Sequence, residues 1–249
     1  ELGGYKSDLP NVTPQTLKAE YDRILSLASI DVMVQGADPA LVEELLLQKL
    51  AGAARSPQRF AMPLAMPIIE TQHFSEEIPG LTQAKLCMLF TRGTPEDLPS
   101  ITVMRMAMSV FGGSTTSRLF RNVREKQSLC YYCSSSYDSI KGIMYINSGV
   151  EGENLEKAEK AILKEIEDMK NGEITDFEIE ATKLAVVNSF KSSSDSVSGI
   201  ENWYTGRIFN GDLETVEEVS AEVNAVTKEQ IVNAANKLLL DTVYVLKNK

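Results

Sequence analysis

The 249-residue sequence predicts an α+β protein, because it combines helical apolar stripes with separate runs of β-like residues. The strongest helical stripe lies over 154–170, and two predicted strands at 129–137 and 143–150 are separated by turn residues. Hydrophobic residues make up 43% and charged residues 24% of the chain, which is typical of a globular protein.

The charge balance excludes some classes of partner. The formal net charge is -10, so the chain should repel phosphate backbones and anionic lipid surfaces. Neither a nucleic acid nor a membrane is therefore an expected partner, and no apolar run approaches the ~20 residues of a membrane helix. The sequence contains only three cysteines, and this small, odd number does not suit a disulfide framework. It favours a reducing, cytoplasmic location.

Residues 1–56 are predicted to form a helix-strand-helix piece. Thr13-Pro14 is a helix start, Ile30 to Val34 is a short β-like run, and Asp38-Pro39 opens a second helix. The apolar run would be an unpaired edge, which invites pairing with another copy and so allows a homodimer.

Residues 57–80 are predicted to be an extended linker, because four prolines interrupt them without a sustained periodicity.

Residues 81–249 are predicted to form a second, complete domain. Capping boxes mark two of its helix starts, Thr175 with Glu178 and Thr227 with Gln230. The predicted strands are 84–90, 129–137, 143–150 and 242–246. The predicted helices are 96–111, a helix that starts at Ser114 or Thr115 and ends at 126, 154–170, a helix that starts at 175, a helical segment through 203–208 and a helix that starts at 227.

A loose internal repeat links the two ends of the chain. Residues 13–34 and 227–245 both contain a Thr cap, a periodic helix and a β-like run. This indicates a duplicated protein, of which residues 1–56 would be the tail of a first domain. The chain starts at Glu1, so it is expected to begin partway through that protein.

The candidate zinc ligands of the sequence are limited by its single histidine. The only histidine, His73, begins a segment that resembles the inverted zinc signature H-x-x-E-H, with glutamate in place of the second histidine. That signature works only on a helix, and His73 lies in the predicted linker. A surface histidine is the preferred interpretation, and no metal ligand is predicted.

Cys130 and Cys133 form a C-x-x-C motif within a predicted strand. The twofold periodicity of a strand would place them on opposite faces, so both are interpreted as small packing residues rather than a redox pair.

Four blocks in order carry a family resemblance: Gly112-Gly113, Ser117-Arg118-Leu119-Phe120, Arg124-Glu125-Lys126 and Leu129-x-Tyr131. They resemble the second domain of the insulinase/pitrilysin family of zinc metallopeptidases, which includes the mitochondrial processing peptidases. The resemblance covers about residues 13–249 and is strongest over 111–178.

The resemblance implies two homologous α+β domains that close like a clamshell, each with a mostly antiparallel sheet packed by helices. The zinc ligands and general base of the family lie in the first domain, so this chain should contain no catalytic residue, metal ligand or cofactor of its own. Zinc would be held by the missing N-terminal domain if the parent protein is active.

The resemblance also implies a substrate-binding pair, Arg124 and Tyr131, seven residues apart. In the family these positions reach across the cleft, where a cation and a phenol can stabilise the oxyanion formed from a peptide carbonyl. The alternative is structural: Arg124 would complement a helix C-terminus and Tyr131 would pack in a core or interface.

The expected function is that of the C-terminal, non-catalytic part of a zinc peptidase, which encloses a peptide and polarises its scissile carbonyl. Its partners would be the peptide and either the missing N-terminal domain or a homologous zinc-binding subunit. A pseudopeptidase that acts as a scaffold or assembly subunit is the alternative. An unrelated α+β binding domain would require the matching blocks to be accidental.

Overall fold

The computed structural model describes residues 4–51, 54–58, 70–92 and 99–249, without the side chains of Phe209 and Asn210. The chain divides into two compact units, Glu1–Ala61 and Met62–Lys249, and the division falls inside the predicted linker.

The first unit contains a 3-10 turn, Lys6–Asn11, and two helices, α1 (Pro14–Leu27) and α2 (Pro39–Leu50). The Thr13 hydroxyl accepts a hydrogen bond from the Thr16 amide at 3.1 Å, which confirms the predicted helix start.

The strand predicted at Ile30 to Val34 is wrong, because the structure assigns no strand to these residues. The described residues of the first unit provide no neighbouring strand to satisfy the backbone groups of this run, and a lone strand is not stable. The argument for a homodimer therefore loses the strand on which it was based.

The second unit is built on a five-stranded sheet in the order β1-β5-β2-β4-β3, antiparallel except where β1 lies parallel to β5. This confirms the predicted α+β class with a mostly antiparallel sheet. The strands are β1 (Gln72–Ile78), β2 (Ala84–Arg92), β3 (Cys130–Asp138), β4 (Ile143–Val150) and β5 (Leu238–Asn248).

Strand β1 corrects part of the predicted linker over 57–80, of which residues 59–69 lie outside the described residues. Residues 72–78 contain no proline and form a sheet edge, with Gln72 opposite Thr242 and Ile78 opposite Asn248. The prolines that suggested a connector lie on either side of this segment. The composition of the whole stretch therefore concealed a strand within it.

Six α-helices complete the described part of the second unit. The helix at Ile101–Gly112 is buried along most of its length, and it packs against both β3 and the helix at Lys228–Asn236. Within the described residues, no helix has the length and apolar character needed to cross a bilayer. The helices are α3 (Ile101–Gly112), α4 (Leu155–Lys170), α5 (Asp176–Ser193), α6 (Val197–Asn210), α7 (Val216–Ala225) and α8 (Lys228–Asn236).

The core lies between α3 and the sheet. Leu86, Met88 and Phe90 project from alternate positions of β2 and are almost completely buried, together with Met104 and Phe111 of α3. This layer fixes α3 against the sheet, and the chain that leaves α3 then leads directly to the candidate site.

Local helix signals were reliable in this unit. The predicted capping boxes at Thr175 and Thr227 are both present. Each threonine hydroxyl accepts a hydrogen bond from the amide three residues later, and each threonine amide donates one to the side chain of that later residue. The helix predicted over 96–111 begins at Ile101 after a Ser100 cap, and residues 96–98 lie outside the described residues.

The helix predicted from Ser114 or Thr115 differs in kind and in start. Residues 114–117 form a turn, and the following segment, Leu119–Lys126, is a π-helix. Such wide turns are rare and are often found at functional sites. The π-helix carries Arg124 near its end.

Gly112 lies where α3 crosses β3, and we expect Gly112→Ala to lower the free energy of unfolding by about 1–3 kcal/mol. A Cβ atom there would lie 2.6 Å from the backbone nitrogen of Ser135 and 2.7 Å from Cδ1 of Leu119. Urea unfolding measures the effect. Gly206→Ala in α6 is the matched control, because its Cβ would meet no atom within 4 Å; it should be neutral or stabilising by up to about 1 kcal/mol. Equal losses in the two variants would contradict this account.

Candidate functional site

A polar pocket of about 380 Å³ opens where the π-helix ends and β3 begins. It contains both residues of the predicted substrate-binding pair. Its lining residues are Arg124, Glu125, Ser128, Leu129, Cys130, Tyr131 and Glu151.

A tight turn joins the π-helix to β3 and brings the pair together. Ser128 has a φ of 52°, in the left-handed region that residues with a side chain seldom adopt. The Leu129 amide then bonds back to the carbonyl of Val123 at 3.3 Å. The chain therefore reverses within a few residues, and Arg124 can contact the start of the strand.

A β-bulge at Tyr131 shapes the other side of the pocket. Cys130 lies opposite Val150 and Tyr132 lies opposite Gly149, so Tyr131 is an extra residue in β3. The side chain of Tyr131 is 55% exposed. The bulge therefore turns Tyr131 towards solvent at the edge of the sheet.

The guanidinium of Arg124 is held on three sides. Its Nε donates to the carbonyl oxygen of Tyr131 at 2.8 Å, and its Nη1 lies 3.0 Å from Oε1 of Glu125. The group also lies 4.6 Å from the centre of the Phe120 ring. Within the described residues, Nη2 makes no hydrogen bond, so this one nitrogen remains available to an acceptor in the pocket.

Glu151 is a site residue that the sequence analysis missed. The Tyr131 hydroxyl donates a hydrogen bond to Oε1 of Glu151, and this carboxylate raises the pKa of Tyr131. The phenol can donate to another acceptor only after it leaves Glu151. The signal was weak: Glu151 directly follows β4, whose pairing with β3 the sequence does not specify.

The geometry brings the predicted pair to one solvent-accessible pocket. Arg124 is partly exposed and Tyr131 is mostly exposed, so Tyr131 is not a core residue of this unit. The substrate-binding role of the pair stays a prediction.

The prediction that Cys130 and Cys133 lie on opposite faces of the strand is wrong. Because the bulge adds one residue between them, they lie opposite Val150 and Ser148, which share a face of β4. Interaction with the Cys133 thiol lowers the pKa of Cys130 to about 7, and interaction with Cys130 together with burial raises the pKa of Cys133.

His73 lies on β1 opposite Val243. Because β1 is a strand, a residue three positions along from His73 lies on the opposite face, whereas on a helix the two would share a face. Across residues 4–51, 54–58, 70–92 and 99–249, no three His, Cys, Asp or Glu side chains form a metal-binding group.

We expect the dialysed chain to contain no stoichiometric transition metal, because a single histidine cannot build a three-ligand site. Elemental analysis checks this, and one tightly held zinc per chain would contradict it.

The second unit is an α+β domain with a mostly antiparallel sheet packed by helices, and Arg124 and Tyr131 line a pocket at its bulged edge strand. The family described as "Peptidase M16 inactive domain" matches residues 11–186, and the chain therefore belongs to this family. The resemblance to zinc metallopeptidases is thus confirmed for the inactive, C-terminal type of domain.

Individual relatives agree with this assignment. The chain is 28% identical over 258 residues to the "Probable inactive metalloprotease YmfF" of Bacillus subtilis, and the match covers 99% of the chain and 58% of the relative. A conserved protein from Enterococcus faecalis has a similar structure, with a TM-score of 0.85, 28% identity, and coverage of 99% and 58%. A peptidase M16 inactive domain from Pseudomonas fluorescens shares the fold at a TM-score of 0.76 and 22% identity, with coverage of 99% and 60%. The chain therefore spans little more than half the length of these proteins.

Proposed function

We propose that this chain works with a zinc-binding domain or subunit of its own family, and that its Arg124–Tyr131 pocket contacts the peptide substrate. The family assignment supports a non-catalytic role, and the relatives that it matches are longer than this chain. The zinc-binding partner would be either another part of the parent protein or a separate homologous subunit.

The observation that carries the proposal is the convergence of two hydrogen-bond donor groups, the Arg124 guanidinium and the Tyr131 phenol, at one open pocket. Arg124 is fixed by its Nε bond to the Tyr131 carbonyl, and its Nη2 is free within the described residues. Tyr131 adds an exposed phenol beside it. A held cation and a hydroxyl donor suit a peptide carbonyl oxygen that becomes negative during hydrolysis.

A zinc ion bound by the partner would supply the activated water of hydrolysis. The residues of this chain would contact only the substrate and would not bind the zinc ion. Arg124 would donate from Nη2 to the carbonyl oxygen, while Tyr131 would transfer its hydrogen bond from Glu151 to the same oxygen. Glu151 would thus hold the phenol in place until a peptide enters.

The alternative function is a scaffold without peptidase activity. One observation favours it: the Bacillus subtilis relative, which matches over almost the whole chain, is named as an inactive metalloprotease. The upstream sequence of the parent protein distinguishes the two functions. An intact H-x-x-E-H motif with a downstream glutamate supports the peptidase, and its loss supports the scaffold.

Reconstitution tests the proposal directly. The chain is mixed with the zinc-binding part of its parent protein, and cleavage of a fluorogenic peptide library is measured with and without the chain. We expect cleavage only in the mixture, and Arg124→Ala should lower kcat/KM while Arg121→Ala, a neighbour on the π-helix outside the pocket, should not. Equal cleavage without the chain, or equal effects of the two substitutions, would overturn the proposal.

A further inference from the structure

We propose that Cys130 and Cys133 are a thiol–disulfide site, which small disulfides of the glutathione type oxidise reversibly through the Arg124–Tyr131 pocket. This inference goes beyond the proposed function and does not depend on it.

The bulge at Tyr131 creates the geometry. In a regular strand, residues three apart point to opposite faces, whereas here Cys130 and Cys133 lie opposite Val150 and Ser148 on one face. Both cysteines are free, and each thiol shifts the pKa of the other.

The surroundings give the two cysteines different roles. Cys130 lines the pocket and is partly exposed, so a small disulfide can reach it. Cys133 is only 4% exposed and does not line the pocket. The Cys133 thiol, the Ser148 hydroxyl and the positive charge of Arg124 all stabilise the Cys130 thiolate. Cys130 is therefore the attacking sulfur, and Cys133 is the resolving one.

The reaction proceeds in two balanced steps. The Cys130 thiolate attacks one sulfur of the small disulfide, forms a mixed disulfide and expels the other sulfur as a thiolate. That thiolate takes the proton from Cys133, whose sulfur then attacks Cys130 and expels the second small thiolate. The protein loses two electrons and gains one S–S bond, while the small disulfide is reduced to two thiols.

The Cys130–Cys133 disulfide bond would change the conformational freedom of the candidate site. It would join the residues on either side of the Tyr131–Tyr132 segment, and the Tyr131 carbonyl in that segment accepts the Nε hydrogen bond of Arg124. Oxidation would thus restrain the bulge that turns Tyr131 into the pocket.

The test uses the reduced 249-residue chain and oxidised glutathione. After acid quenching, intact mass spectrometry and peptide mapping should find the loss of two hydrogen atoms and a Cys130–Cys133 cross-link, which dithiothreitol reverses. Cys87→Ser is the matched control, because Cys87 is another partly exposed strand cysteine; it should leave the yield of the cross-link unchanged. Cys133→Ala should instead accumulate the glutathione adduct on Cys130.

Alkylation by iodoacetamide at neutral pH gives a second readout on the unmodified chain. Cys130 should react about tenfold faster than Cys87, whose pKa is raised by burial. The proposal is overturned if the wild-type chain stops at a glutathione adduct, if it forms no Cys130–Cys133 cross-link, or if Cys87 is alkylated as fast as Cys130. Because these measurements need no partner and no peptide, they can fail or succeed independently of the proposed peptidase function.

Discussion

Arg118→Ala is expected to lower the free energy of unfolding of the second unit by about 3–5 kcal/mol, because it leaves buried carboxylates without their cation. Nη2 of Arg118 lies 2.8 Å from Oε2 of Glu165, and its Nη1 lies 3.5 Å from Oε1 of Glu178. These three side chains are each only 7% exposed. Arg118 also bonds the carbonyl of Glu173, so it ties the start of the π-helix to α4 and to the chain before α5.

Chemical unfolding in urea measures this loss. Lys164→Ala is the matched control. Lys164 pairs with Asp168, and a carboxylate oxygen of Asp168 also lies 3.8 Å from Nη2 of Arg118. The side chain of Lys164, however, is 69% exposed. Removal of this surface cation should cost less than about 1 kcal/mol. If Arg118→Ala costs no more than Lys164→Ala, the buried cluster does not stabilise the unit in the way described.

Tyr131→Phe is expected to lower kcat by about 10²-fold in the reconstituted peptidase, as for the loss of one oxyanion donor. The substitution removes only the hydroxyl group, which would act mainly on the charge that develops in the transition state. The value of KM should therefore change much less than kcat. Steady-state kinetics with a single fluorogenic peptide separate the two constants.

Tyr132→Phe provides the control for this experiment. Tyr132 is the next residue of β3, is 40% exposed and does not line the pocket. Its substitution should leave both kinetic constants unchanged. A wild-type kcat in Tyr131→Phe would assign Tyr131 to packing or to an interface instead of to transition-state stabilisation.

The sequence was most informative where structure depends on neighbouring residues. The capping boxes at Thr175 and Thr227 are formed by side chains three residues apart, and both were predicted. The family resemblance also pointed to Arg124 and Tyr131, and both residues line one pocket because a short turn connects them.

The sequence was least informative where structure depends on distant strands. Strand β1 exists because Gln72–Ile78 pairs with β5 near the end of the chain, and no local pattern indicates a parallel edge. Conversely, Ile30 to Val34 has a β-like composition but no strand beside it in the described part of its unit. Composition alone could not distinguish these two cases.

The same limit applies within the site. The bulge at Tyr131 depends on the register between β3 and β4, and it reverses the expected orientation of Cys133 relative to Cys130. Glu151 reaches Tyr131 only through that register. The residues of the site were thus partly predictable, whereas their orientation required the pairing of the strands.

Photocrosslinking tests the central claim, contact between the pocket and the substrate, most directly. Benzoylphenylalanine is placed at Tyr131 or at Leu184, an exposed residue of α5 that does not line the pocket, and the reconstituted complex is irradiated with a labelled peptide. The account predicts that the peptide is attached at position 131 and that an unlabelled substrate competes with this attachment, while position 184 remains unlabelled. Attachment at neither position, or equally at both, in a complex that binds the peptide would contradict the account.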